Sequence, residues 1–223
     1  MTVPRGLAML VLLAACSKDR QEGPEPPPIA AAWSDDFERS ELGSDWRATG
    51  GGYQLVNGAV NAQGAFNHPL WLRKKLPRDA AVEIDVWTTS PDGDIKVELY
   101  GDGRSYDPDR GGYLATGYVA VMGGWKNSKS QIARLDEHGK DVAARPEPRV
   151  EPNKRYHWKL VRKGGRLDWY VDDMATPFLS LEDPQPLEGA GHEYFAINNW
   201  QTDTWFDNLR ITSQPNAASG VSH

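Results

Sequence analysis

Apolar and polar residues alternate with period two along most of this chain. Val82, Ile84 and Val86 are interleaved with Glu83, Asp85 and Trp87, and Ile95, Val97 and Leu99 with Lys96, Glu98 and Tyr100. Successive side chains of a strand point to opposite faces, so each run predicts a strand with one face buried. Ser90-Pro91-Asp92-Gly93 lies between the two runs and carries turn chemistry, which predicts a hairpin. Tyr156, Trp158 and Leu160, then Leu167, Trp169 and Val171, predict a second hairpin through Lys163-Gly164-Gly165-Arg166. Shorter runs stand at 53–56, 59–62, 69–75, 113–121, 130–135, 194–200 and 204–212. Only 136–145 reads as a helical turn, stopped by Pro146 and Pro148. About a dozen short strands punctuated by Gly and Pro predict an all-β sandwich or barrel. No internal repeat points to a propeller or β-helix.

The ends do not share this pattern. Arg5 precedes Leu7 to Leu13, an apolar stretch too short to span a bilayer, as in a secretory signal over residues 1–15. Leu13-Ala14-Ala15-Cys16 resembles the lipobox of bacterial lipoproteins, in which the signal is cut before the cysteine and the sulfur is lipidated. Cys16 is the only cysteine of the chain. The resemblance implies a lipid anchor there, and Ser17 after it implies the outer rather than the inner membrane. Residues 16–32 are polar and Pro-rich and read as a semi-stiff spacer with nothing to pack. Residues 213–223 read as a frayed tail. One domain is expected over residues 33–212.

Within that domain, Trp33-Ser34-Asp35-Asp36-Phe37, a short loop and Trp46 resemble the opening strand of the concanavalin A-like lectin/glucanase superfamily. The stretch from Tyr53 to Val60 around Asn57-Gly58 resembles that family's early hairpin. Trp205-Phe206-Asp207-Asn208-Leu209-Arg210-Ile211 is similar to its last strand. The resemblance implies a jelly-roll sandwich of two antiparallel sheets with first and last strands side by side. Within the superfamily it is nearest to laminin-G-like and 3-keto-disaccharide hydrolase-type domains.

Charge and residue counts narrow the chemistry. With 25 basic and 31 acidic residues the net charge is −6, which argues against nucleic acid. A single cysteine excludes a disulfide framework, and five scattered histidines lack ligand spacing.

Glu83 and Asp85 are the sharpest enzymatic lead, because family-sixteen glycoside hydrolases carry E-x-D-x-x-E or E-x-D-x-E on one strand. Trp87, Thr88 and Thr89 stand where the third carboxylate belongs. A retaining site needs two carboxyls about 5 Å apart, so this strand reads as a solvated acidic face.

The nine tryptophans are the second lead. Trp46, Trp158, Trp169 and Trp205 read as core. Trp125, after Gly123-Gly124, and Trp200, after Asn198-Asn199, sit in polar settings. Sugar rings stack on aromatic faces and their hydroxyls take amide and charged partners, so the expected glycan site is Trp125, Arg134, His192, Asn198, Asn199 and Trp200. Asp136, Glu137 and His138 are neighbouring polar candidates. The superfamily's structural calcium implies a further site at Asp36, Gly58 and Asp207, with Asp replacing the usual Glu at 36.

The reading that follows is a membrane-anchored, lectin-like protein that binds a glycan without cleaving it. The alternatives are a 3-keto-sugar hydrolase or lyase, a degenerate glucanase, or an envelope module for a protein partner. An enzyme would hold carboxyls of divergent pKa in its cleft.

Overall fold

Fifteen strands follow one another through a computed structural model that describes residues 24–106, 113–140 and 142–215. They are β1 (Ala32–Asp35), β2 (Trp46–Ala48), β3 (Tyr53–Val56), β4 (Ala59–Gln63), β5 (Leu70–Leu72), β6 (Ala80–Thr88), β7 (Ile95–Gly101) and β8 (Tyr118–Gly123). After them come β9 (Lys129–Arg134), β10 (Val142–Arg145), β11 (Tyr156–Lys163), β12 (Arg166–Val171), β13 (Leu179–Glu182), β14 (Tyr194–Asn198) and β15 (Asp203–Ser213). One sheet runs β13-β12-β11-β6-β15-β4-β3, with β1 also on β15, and the other runs β10-β9-β8-β7-β14-β5-β2. Every strand pairing is antiparallel. This is the expected sandwich of two antiparallel sheets.

The first and last strands meet as expected, with Trp33 opposite Ile211. The Asn57-Gly58 turn closes β3 on β4, and both its residues have positive φ (51° and 73°), a conformation that Gly supplies without Cβ strain. Asp35 of the opening motif is buried and accepts hydrogen bonds from Phe37 N (2.9 Å) and Trp46 Nε1 (2.8 Å), fastening the second tryptophan to the first strand.

The core lies between the sheets. Val82, Ile84, Val86, Trp158, Leu160, Trp169 and Phe206 face Val97, Leu99, Met122, Ile132, Phe195 and Ile197 in one contiguous cluster. Trp158 and Trp169 meet edge to face at 4.7 Å. Removing either ring would cost about 3–5 kcal/mol.

Four expectations change. First, β6 and β7 are no hairpin. β6 lies in the eight-stranded sheet between β11 and β15, and β7 lies in the seven-stranded sheet between β8 and β14. The Ser90–Gly93 turn carries the chain across the sandwich, where Gly93 is seated so closely on Gly123 that a Cβ would stand 2.5 Å from its carbonyl oxygen. Second, 136–145 is not helical: a tight turn closed by Gly139 N on Asp136 O (3.0 Å) leads into β10, which pairs with β9. Third, Trp205 is not core. It stands half-buried on the outer face of its sheet, stacked on Trp87 at 5.7 Å. Fourth, the spacer does pack at its far end. Ile29 is buried in the core cluster, Ile29 N donates to Lys75 O (2.9 Å), Lys75 N donates to Pro27 O (3.0 Å), and the Lys75 ammonium pairs with Glu25 and Glu193.

Candidate functional site

The outer face of the seven-stranded sheet positions the site. Asn198 of β14 opposes Lys96 of β7, Lys96 opposes Val121 of β8, and Val121 opposes Gln131 of β9. Residues directly opposed across strands share a face, so these four form one row on the side away from the core. The period of β7 predicts that Lys96 and Glu98 are solvated, yet all seven of its residues are buried. The segment 113–117 crosses over this face: Glu98 accepts hydrogen bonds from Thr116 N (2.8 Å), Gly117 N (2.8 Å) and Tyr113 Oη (2.9 Å). Burial pushes the Glu98 carboxyl up to about 7 against those donors.

Beside that covered stretch the row opens into a cleft of about 600 Å³, within the range of small-molecule sites. Its floor is polar. Lys96 Nζ donates to Asn67 Oδ1 (2.8 Å) and forms an ion pair with Glu137 Oε2 (2.8 Å), the two side chains being 3% and 10% exposed. Gln131 supports the pair from beneath, donating through Nε2 to Glu137 O (2.6 Å), while its buried Oε1 has no hydrogen-bond partner among the described residues.

Two exposed indoles rise over this floor. Trp200 follows β14 and is 45% exposed. Its backbone N–H donates to Asp94 Oδ2 (2.6 Å), its carbonyl accepts from Phe66 N (2.9 Å), and its ring meets the exposed Phe66 edge to face at 5.3 Å. Trp125 sits in the one-turn element Gly124–Asn127 joining β8 to β9 and is 37% exposed. Trp125, Lys126 and Asn127 all have positive φ (52°, 59° and 57°), an arrangement that costs roughly 1–2 kcal/mol per residue. The Asn127 side chain offsets this by donating to Pro91 O (3.0 Å) and Val150 O (2.8 Å) and accepting from Val150 N (2.8 Å). These bonds fix the strained turn and hold the Trp125 ring at the surface. Lys129 lies 3.9 Å from the Trp125 ring centroid and His138 meets its edge at 5.6 Å.

Of the expected glycan residues, the structure brings Trp125 and Trp200 to one cleft, together with Glu137 and His138. Asn198 belongs to the same row as Lys96 but is wholly buried, accepts from Asn199 N (2.9 Å) and does not line the cleft. Asn199 is wholly enclosed and works as a brace, with Nδ2 donating to Ala62 O, Thr202 O and Thr204 Oγ1 and Oδ1 accepting from Ala65 N. Arg134 is elsewhere: it opposes Tyr118, on the alternate face of β9 from Gln131, and binds Asp183 Oδ2 (2.8 Å) and Gln185 O (3.1 Å). His192 is in the connection before β14, with its N–H on Gly189 O (3.0 Å). Lys96, Asn67 and Asp94 were hidden from sequence reasoning. A lysine in an alternating strand reads as solvated, and Asn67 and Asp94 sit in turns whose partners are remote in sequence.

Glu83 and Asp85 lie on the outer face of the opposite sheet. Asp85 takes His157 Nδ1 (2.7 Å), Arg155 (3.0 Å) and Asn208 Nδ2 (2.9 Å). Partial burial opposes its charge, but the bonds from Asn208 and His157 and the Arg155 guanidinium outweigh it and hold the carboxyl below its usual range. An ionised acid inside such a network has no proton to give a leaving group.

The three calcium positions carry protein contacts of their own. Asp36 Oδ1 accepts from Glu38 N (3.1 Å), Asp207 Oδ2 is held by Arg155 (2.5 Å), and the Glu38 carboxylate occupies the space over Gly58. A guanidinium already supplies the positive charge at Asp207. Among the described residues no group of three His, Cys, Asp or Glu side chains is placed to share a metal.

A second hollow, of about 660 Å³, lies at the far end of β7 and β14, lined by Pro24–Pro26, Arg47, Arg73, Asp102 and Glu193. Among the described residues the large exposed hydrophobic side chains are Phe66, Leu114, Trp125, Met174 and Trp200, and none of them lines it. Its aromatic lining is the half-buried Tyr194 and the buried Trp71, so it offers less exposed aromatic surface than the Trp125/Trp200 cleft.

No protein-family model matches the chain, and no curated protein matches it. Solved structures do. The carbohydrate binding module CBM66 from Bacillus subtilis superposes with a TM-score of 0.60 at 18% identity, over 76% of this chain and 96% of its own. The exoplasmic/lumenal domain of VIP36, in its Ca2+/Man3GlcNAc-bound form, superposes with a TM-score of 0.63 at 11% identity, over 84% and 90%. The two-sheet antiparallel β-sandwich is the fold these structures share with the chain. A putative glycosyl hydrolase from Parabacteroides distasonis shares it at 14% identity and a TM-score of 0.52, over 77% and 89%. One sandwich thus carries both binding and hydrolytic proteins, and function has to be argued from the site.

Proposed function

We propose that this protein is a lipid-anchored, lectin-like protein of the bacterial envelope that holds a glycan in the Trp125/Trp200 cleft without cleaving it. The observation that carries the reading is the pair of exposed indoles over one floor of Lys96, Glu137 and Asn67. Aromatic faces stack on the apolar faces of sugar rings, while amide, carboxylate and ammonium groups bond the hydroxyls at their edges. Neighbours described as a carbohydrate binding module and as a mannose-oligosaccharide complex support it.

Non-catalysis is read from the carboxyls. Glu98, which among the described carboxyls is the one that burial raises to about 7, is enclosed by Thr116, Gly117 and Tyr113, and Asp85 is on the other sheet.

Cys16 and the signal lie outside the described residues. Support for the anchor is the lipobox resemblance alone; the docking of Pro27–Ile29 on Lys75 shows on which side of the domain the spacer arrives. That contact adjoins Glu193 and Gly101, at the end of β7 opposite Asp94 and Lys96. Seven strand residues separate the two ends by about 20 Å, so a chain tethered there presents its cleft away from the membrane.

The test is a glycan array probed with residues 17–223, beside a Trp125→Ala/Trp200→Ala double variant. Glycans retained by the first and lost by the second establish the reading; an array on which both behave alike rejects it. Replacing Cys16 with Ser should release the protein from membrane pellets, and unchanged pelleting after a carbonate wash rejects the anchor.

A further inference from the structure

We infer that the cleft selects neutral sugars over carboxylated or sulfated ones, with the Lys96–Glu137 pair as its specificity determinant. The inference rests on the glycan reading above. Charged side chains on the lining are Asp92, Asp94, Glu137, Lys96 and Lys126, with His138 beside them. The cation on the floor is already committed. Lys96 Nζ is 2.8 Å from both Asn67 Oδ1 and Glu137 Oε2, and its side chain is 3% exposed.

An anionic group reaching the floor would have to displace Glu137, leaving one buried carboxylate unpaired, or sit unpaired itself. Asp94 adds its own negative charge close by, fixed by the N–H of Trp200 at 2.6 Å. Lys126 is exposed, and a solvated ammonium holds a solvated anion weakly. A hydroxyl meets none of these penalties, because it donates to Glu137 or Asp94 and accepts from Asn67.

The experiment is affinity electrophoresis of the protein through dextran, laminarin, mannan and inulin, each beside its carboxymethylated and sulfated derivative. The wild-type chain should be retarded by at least one neutral polymer about tenfold more strongly than by its charged derivatives. Glu137→Gln frees the Lys96 charge and should erase about tenfold of that preference for the carboxymethylated form. Should Glu137→Gln melt too low for comparison, Asp92→Lys decides instead. That exposed substitution leaves the buried pair intact and should narrow the preference at least threefold.

Charged derivatives held as tightly as the neutral polymer by the wild type overturn the inference alone. So does an unchanged preference in a folded Glu137→Gln or, where that variant fails, in Asp92→Lys. Retardation by none of the polymers overturns the carbohydrate reading, and the inference with it.

Discussion

Asp94 and Trp200 belong to different sheet connections and are joined by one short hydrogen bond, from the Trp200 N–H to Asp94 Oδ2 at 2.6 Å. Asp94 precedes β7 and Trp200 follows β14, and the two strands pair. The bond is made by the backbone amide, so it fixes the Trp200 backbone at the strand ends while leaving the ring exposed.

Asp94→Gly, which adds no strain at a position whose φ is 62°, should therefore loosen Trp200 without opening the core. A hydrogen bond to a charged group contributes about 1.5–3 kcal/mol, spread between stability and loop order. The expected outcome is a glycan affinity reduced about three- to tenfold with a melting temperature only a few degrees lower. Calorimetric titration and a melting curve on the same sample check it.

Asn127→Ala should destabilise the protein by about 2–4 kcal/mol, since three hydrogen bonds go and a left-handed residue gains strain. Asn127→Gly loses the same bonds and relieves the strain, so it should cost about 1 kcal/mol less. Urea unfolding of both variants orders them; equal losses would contradict the account of the turn.

Glu98 sets a pH dependence. Its folded-state pKa, about 7, lies above the ordinary 4.5, so the folded chain binds the extra proton between those values. The stability this proton contributes is complete below about 4.5 and is lost as pH rises through about 7. A shift of this size corresponds to a few kcal/mol. Glu98→Gln keeps an acceptor for Thr116 N and Gly117 N and cannot titrate, so its unfolding free energy should vary less between pH 5 and 8. An identical pH profile would show that Glu98 does not titrate there.

Adding millimolar calcium or EDTA should leave the melting temperature unchanged. An ion that binds the native state would raise it by mass action. A rise that disappears in Asp207→Ala would show that the ion displaces Arg155.

The sandwich was legible because its core obeys a short-range rule: Val82, Ile84 and Val86, or Leu167 and Trp169, turn inward at every second position. The Asn57-Gly58 turn was legible from its own chemistry. Long-range geometry was not. Nothing local in Ser90–Gly93 says that the chain changes sheets there, because the partners of β6 and β7 lie tens of residues away. Lys96 and Glu98 read as solvated because alternation cannot foresee a segment such as 113–117 crossing over them. At the site, Trp125 and Trp200 stood out as large apolar rings in polar surroundings. Asn199 stood out as an amide in an otherwise apolar run, but that amide is used up in bracing the backbone behind Trp200.

The measurement that reaches the central claim most directly is Trp200→Ala, read for glycan binding and thermal melting together. The exposed ring predicts a loss of affinity of about ten- to hundredfold, from roughly 1–3 kcal/mol of stacking and excluded water, with melting close to wild type. A variant that binds its glycan as well as the wild-type chain does, or that melts as though a core ring had been removed, would contradict it.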